Sequence, residues 1–111
     1  MTYFNLARTR SGYVAVWPTK GQIYFARLDA TCELLPPGEI KTNATAGMRT
    51  GVIALEDNDE NTLIVWKQNH ETHWQLYDRQ GLPSGEAGAV ASAGTGVAGA
   101  VDRQGNFILF P

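Results

Sequence analysis

The sequence predicts an all-β protein in which a meander of antiparallel strands is repeated in tandem. Across its 111 residues, a unit of about 47 residues occurs twice, and a third copy begins near residue 95. Short apolar runs alternate with turn sequences, and no segment shows the period of an amphipathic helix. The chain length suits one domain. We therefore expect a single domain over residues 1–111, with repeats at approximately 1–47, 48–94 and 95–111.

The repeat is visible as matching segments at nearly constant spacing. Val14-Ala15-Val16-Trp17 returns as Leu63-Ile64-Val65-Trp66, and Leu35-Pro36-Pro37-Gly38-Glu39 returns as Leu82-Pro83-Ser84-Gly85-Glu86. Gly51-Val52 returns as Gly96-Val97. The spacing shortens slightly along the chain, which indicates small deletions in loops.

Ten strands follow from the apolar runs and their period-two alternation, which is the spacing of a β-strand. The first repeat predicts strands at Tyr3–Ala7, Tyr13–Trp17, Gln22–Asp29 and Glu39–Thr42. The second predicts Gly51–Leu55, Thr62–Lys67, His73–Asp78 and Glu86–Ala91, and the partial third predicts Val97–Val101 and Asn106–Phe110.

Polar and glycine-containing segments separate these strands. Asp-Arg-Gln-Gly occurs twice, at 78–81 and at 102–105. Aspartate first and glycine fourth is the signature of a type I turn. The acidic run at 57–61 is interpreted as a charged hairpin tip, because it lacks the central glycine and terminal glutamate of a calcium loop.

Four strands in each repeat of this length are typical of a β-propeller blade. With Tyr24–Asp29 preceded by Val14–Trp17 and followed by Leu35–Glu39, the chain resembles the blade repeats of bacterial propeller proteins. The Trp-Asp ending of the best-known propeller repeat is absent, since Trp17 is followed by Pro18 and Trp66 by Lys67. The aspartate box of sialidases is also absent. The resemblance implies an architecture and brings no active site with it.

Two complete blades and part of a third cannot close a ring, because propellers have about 4–8 blades. Exposed strand edges would remain, and self-association is one way to cover them. We therefore expect a partial propeller that is completed as a homo-oligomer, for example a trimer. The alternative is a single-chain barrel or sandwich of ten strands. The sequence leaves open whether residues 96–110 pair within the chain or between chains.

Charge and composition restrict the partners and the location. Nine basic and eleven acidic side chains give a formal net charge of −2, which does not favour nucleic-acid binding. No run of ~20 apolar residues that could span a membrane is present, and the first residues do not form a signal peptide. The single cysteine, Cys32, excludes an intramolecular disulfide. We expect a cytoplasmic protein that binds neither nucleic acid nor membrane.

The sequence motifs associated with catalysis or cofactors are isolated. Gly94–Gly99 matches G-x-G-x-x-G, but the residues that follow are too few for a dinucleotide-binding unit. His70-Glu71-Thr72-His73 provides two histidines at the entry to a strand, without a third. No nucleophilic serine motif occurs. The sequence therefore predicts no cofactor and no metal, and it favours binding over catalysis; a metal-assisted hydrolase that uses His70, Glu71 and His73 is a remote alternative.

Aromatic and polar residues are expected to gather at one end of the meander, where alternate loops emerge. Flat rings beside hydrogen-bonding groups bind sugars and many protein partners. We therefore expect a lectin-like or small-ligand-binding module, with a protein-interaction scaffold as the alternative. A competing interpretation makes the tryptophans fillers of the core. The predicted binding residues are Trp17, Lys20, Tyr24, Arg49, Trp66, Asn69, His70, His73 and Trp74.

Overall fold

The computed structural model describes residues 5–45, 51–68, 70–91 and 96–110. These residues form ten antiparallel strands and contain no helix. All ten predicted strands are present, with ends shifted by a few residues. The strands are β1 (Asn5–Arg8), β2 (Gly12–Thr19), β3 (Gln22–Asp29), β4 (Ile40–Thr45), β5 (Val52–Glu56), β6 (Thr62–Gln68), β7 (Glu71–Tyr77), β8 (Pro83–Ala91), β9 (Gly99–Val101) and β10 (Phe107–Leu109).

The strands are arranged in three separate sheets. The first sheet has the order β1-β2-β3-β4, the second has the order β5-β6-β7-β8, and β9 and β10 form a C-terminal hairpin. The meander of the first sheet ends at β4, and β5 begins the second sheet. The predicted alternative of a closed ten-stranded barrel is therefore wrong for the described part of the chain.

The first and second sheets pack face to face. The side of the first sheet that carries Val14 and Val16, here called the Val14 side, lies against the Trp66 side of the second sheet, which carries Ile64 and Trp66. Phe25 and Tyr77 meet across this interface with ring centroids 5.2 Å apart. The main core cluster consists of Val14, Val16, Ile23, Phe25, Ile40, Val52, Ala54, Ile64, Trp66 and Tyr77.

Burial along the two equivalent strands β2 and β6 shows how many sides of each sheet are covered. In β2, buried residues alternate strictly with partly exposed ones. In β6, every residue from Thr62 to Lys67 is buried. The first sheet covers one side of β6, and the C-terminal hairpin packs against β5 beside its other side. The first sheet is thus covered on its Val14 side, while its opposite side retains exposure.

The C-terminal hairpin also has one covered and one exposed side. A Cβ atom at Gly99 would lie only 3.0 Å from Leu55 Cδ1, so the absence of a side chain lets β9 approach the second sheet closely. Leu109 is opposite Gly99 and is partly buried, whereas Ile108 and Phe110 are 42% and 57% exposed. The exposed side is here called the Ile108 side.

One five-residue turn occurs four times, beginning at Asp29, Asp57, Asp78 and Asp102. In each copy the aspartate Oδ1 accepts the backbone N–H groups of the third and fifth residues, at 2.9–3.0 Å. The fourth residue has positive φ in every copy, and it is glycine in the two predicted Asp-Arg-Gln-Gly turns. The acidic run at 57–61 is therefore a hairpin tip, as predicted.

No helix in the described residues is long and apolar enough to cross a membrane.

Candidate functional site

Seven of the nine predicted binding residues lie in the described part of the chain; Arg49 and Asn69 lie outside it. The seven occur near the β2–β3 and β6–β7 connections. Lys20 and Gly21 form the two-residue β2–β3 turn, with φ values of 51° and 79° that fit a type I′ hairpin. His70, with a φ of 63°, occupies the β6–β7 turn and is exposed. The meander thus places these residues at one end of the two sheets, as the sequence predicts.

Two aromatic pairs form at this end, and they occupy equivalent positions. Trp17 is opposite Tyr24 across β2 and β3, with ring centroids 6.1 Å apart and planes 11° apart. Trp66 is opposite His73 across β6 and β7, with centroids 5.5 Å apart and planes 18° apart. Cross-strand neighbours of this kind stack because their Cβ atoms are only about 5 Å apart.

The two pairs differ in what covers them. Trp66 is 7% exposed, because its side of the second sheet faces the first sheet. Its indole N–H donates to Gln68 Oε1 at 3.3 Å. Trp17 follows Val16 in β2, so it lies on the opposite side from the core, and its ring is partly exposed. The tryptophan of the second repeat therefore fills an interface between sheets, whereas its equivalent in the first repeat lies on an outer surface.

Trp74 is separated from both pairs. Trp74 lies on the side of the second sheet opposite Trp66, where its indole packs over Gly88: a Cβ there would come within 2.1 Å of the ring. His73 Nε2 lies 3.4 Å from Glu71 Oε1. The structure thus joins four of the predicted binding residues in two cross-strand pairs but does not gather the described residues into one cluster. Among the residues described, no three His, Cys, Asp or Glu side chains are close enough to hold a metal ion.

The outer surface around Trp17, here called the Trp17 side, is apolar with basic margins. Leu6 pairs with Ala15 in the same alternation as Trp17 and is 48% exposed. Arg8 and Lys41 belong to this side as well, since they pair with Tyr13 and Tyr24, and both are exposed. Leu6 and Trp17 thus both leave apolar surface in contact with solvent on the same side of the sheet.

A charged network at the other end of the sheets was missed by the sequence analysis. Arg27 Nε donates to Glu56 Oε1 and Arg27 Nη2 donates to Glu60 Oε1, both at 2.9 Å. Arg79 Nη1 donates to Glu60 Oε2 at 3.1 Å. The alternation of β3 gives a signal for this network, because Arg27 shares the inward side with Ile23 and Phe25. A charged residue at a core position predicts a buried partner.

The network forms the floor of an open cleft of about 410 Å³ between the first and second sheets. Leu35, Pro36 and Pro37 form one wall, and Arg79 and Gln80 lie opposite. Within the network, the two arginines are matched by the two carboxylates of Glu56 and Glu60.

Two of the aspartate turns near this end shift the acidity of their carboxyl groups. The backbone N–H of Glu33 and the hydroxyl of Thr31 hold the pKa of Asp29 below its ordinary value. The backbone N–H of Asn106 does the same for the pKa of Asp102. Both shifts arise because hydrogen bonds to the ionised carboxylate favour it over the neutral form. These aspartates stabilise turns, and their carboxylates are already engaged.

This chain matches no family model, no curated protein and no solved structure.

Proposed function

We propose that this protein is a non-catalytic binding module that associates with further copies of itself through the Trp17 side of its first sheet. One observation carries the proposal. The Trp66–His73 pair is covered by a neighbouring sheet, whereas the equivalent Trp17–Tyr24 pair has an open outer surface. A second copy can provide a sheet that covers the Trp17–Tyr24 pair in the way that the first sheet covers the Trp66–His73 pair.

The gain in free energy comes from apolar area removed from water. Covering the partly exposed Trp17 ring, at about 25 cal/mol per Å², contributes on the order of 1–3 kcal/mol. Leu6, 48% exposed on the same side, adds to this. Interfaces often depend on one buried tryptophan surrounded by smaller contacts, and Trp17 fits that role.

Light scattering coupled to size exclusion tests the proposal. Wild-type protein is expected to have a mass above the 12.1 kDa of one chain, rising with concentration until assembly is complete. Trp17→Arg places a charge in the interface, and it should reduce the mass to that of a monomer. Leu6→Arg gives a second variant on the same side, with less effect on the internal packing of the sheet.

The matched control is Leu82→Arg. It introduces the same charge at a leucine that is 61% exposed in the second sheet's β7–β8 connection, away from the Trp17 side. The control should retain the wild-type mass, and circular dichroism should show strand content in every variant. A wild-type protein that stays at 12.1 kDa at all concentrations contradicts the proposal.

Carbohydrate binding at the Trp17 side is the second candidate, because the Trp17 and Tyr24 rings have the exposed Lys41 beside them. A sugar would stack on a ring while polar groups bind its hydroxyls. Tryptophan fluorescence titrated with methyl glycosides of glucose, galactose and mannose distinguishes the two. If wild-type protein is monomeric and a glycoside quenches its tryptophan fluorescence saturably, and if Trp17→Arg abolishes the quenching, sugar binding replaces self-association as the function.

A further inference from the structure

Each of the three repeats has an apolar residue at two equivalent positions of its second strand. How deeply these two residues are buried depends on which element covers them. Val14 and Val16 of the first sheet are fully buried, because the Trp66 side of the second sheet lies on them. Leu63 and Val65, their equivalents in the second sheet, are 5% and 0% exposed.

The third pair is the exception. Ile108 and Phe110 are the equivalents in the C-terminal hairpin, and they remain 42% and 57% exposed. Val14 and Val16 lie beneath the next sheet, and the hairpin packs through β9 against β5 on the side of the second sheet that carries Leu63. For Ile108 and Phe110, the matching side on this chain is the Trp17 side, at the other end of the stack.

We infer that copies of this chain join head to tail, with the Ile108 side of one hairpin docked on the Trp17 side of the next copy's first sheet. This inference rests on the proposed function and names the partner surface. The contact would repeat between chains the packing that already joins the first sheet to the second. Such a heterologous contact generates a ring or a filament, according to the rotation between successive copies.

The charges on the Trp17 side oppose the symmetric alternative, in which two Trp17 sides meet. Arg8 and Lys41 are both exposed on this side. A symmetric dimer would bring two copies of each cation into the same interface, and juxtaposed like charges disfavour association. Ala98, Ala100, Ile108 and Phe110, which lie on the Ile108 side, are all uncharged, so docking them on the Trp17 side brings no second set of cations to Arg8 and Lys41.

A mixing experiment with two singly disabled variants distinguishes the arrangements. Trp17→Arg disables one surface and Ile108→Arg disables the other, so each variant alone should be a monomer. Mixed in equal amounts, each provides the surface that the other lacks. The expected product is a dimer of one copy of each variant, with twice the 12.1 kDa chain mass and no larger species.

Two further variants keep the result interpretable. Phe110→Arg, at a residue 57% exposed, should reproduce Ile108→Arg. Gln104→Arg adds the same charge at an exposed turn residue of the hairpin and should assemble like wild type. If Ile108→Arg assembles as well as wild type while Trp17→Arg does not, the head-to-tail inference is overturned and the proposed function stands. If wild type itself is monomeric, the proposed function fails.

Discussion

Arg27 and Glu56 form an ion pair across the interface between the first and second sheets. Arg27 Nε lies 2.9 Å from Glu56 Oε1, and the two side chains are only 7% and 3% exposed. Glu60 provides a second carboxylate for the same guanidinium. Two charges removed from water in this way depend on each other, because either one alone would remain buried without compensation.

Breaking this pair from one side should destabilise the protein strongly. Arg27→Leu or Glu56→Val alone is expected to lower the free energy of unfolding by about 3–5 kcal/mol, because the remaining charge loses its partner. Urea unfolding followed by tryptophan fluorescence measures the change. The matched control is Arg79→Leu, whose side chain is 62% exposed and pairs with Glu60; its cost should stay below about 1 kcal/mol.

The double variant Arg27→Leu/Glu56→Val should recover most of the lost stability. The equivalent positions at the next interface are already apolar, with Leu76 in β7 and Val101 in β9. Replacing a buried ion pair by apolar residues is often neutral or stabilising. A double variant as unstable as the sum of the two single variants would show that the charges themselves are required.

Two buried threonines should respond differently to the same substitution. Thr62 is fully buried, and its hydroxyl has no hydrogen-bond partner among the described residues. Thr62→Val removes that unpaired group, so the free energy of unfolding should stay level or rise by up to about 1–3 kcal/mol. Thr42 Oγ1 donates to the carbonyl of Ile23 at 2.7 Å. Thr42→Val removes this hydrogen bond, so it should lower the free energy of unfolding by about 1 kcal/mol. Urea unfolding measures both variants, and an equal loss of unfolding free energy in Thr62→Val and Thr42→Val would contradict this prediction.

The aspartate turns predict a loss of stability in acid. The pKa values of Asp29 and Asp102 are lowered from the ordinary 3.8, so folding favours their ionised forms. Their contribution is complete above the ordinary pKa and is lost as the pH falls through the lowered values. Carboxyl resonances followed by NMR should titrate with midpoints below 3.8.

Asp29→Asn provides the control for this titration. Its amide oxygen still accepts the backbone N–H groups but does not titrate, so stability measured between about pH 6 and pH 3 should fall less steeply than in wild type. An Asp29 midpoint at or above 3.8 in the wild-type protein would be inconsistent with the hydrogen bonds of the turn.

The sequence predicted the strands well because each strand depends on local information. Period-two alternation and turn residues fix where a strand runs, and only the ends differ: β8 begins at Pro83, because Pro83 pairs with Tyr77 beyond a register shift. The separation of β4 from β5 into different sheets agrees with the predicted repeat boundary, because four strands per repeat predict one sheet for each repeat. Which side of one sheet lies against which side of the next is not determined by local pattern.

The same distinction explains the outcome for the candidate site. The pairing of Trp17 with Tyr24 and of Trp66 with His73 follows from hairpin register, and the repeat in the sequence implies it. The difference in exposure between the two tryptophans depends on which sheet lies next to which. The Arg27–Glu56 pair also depends on stacking, since its members lie on different sheets.

The recurrent aspartate turn has a consequence for engineering. Its shape is set mainly by the first residue, which accepts the hydrogen bonds, and by the fourth, which adopts positive φ. The second and third positions vary between the copies: they are Ala30-Thr31 in the first, Asn58-Asp59 in the second, and Arg-Gln in the last two. A combinatorial library randomised at those positions should therefore keep the scaffold while displaying new chemistry along one rim of the molecule.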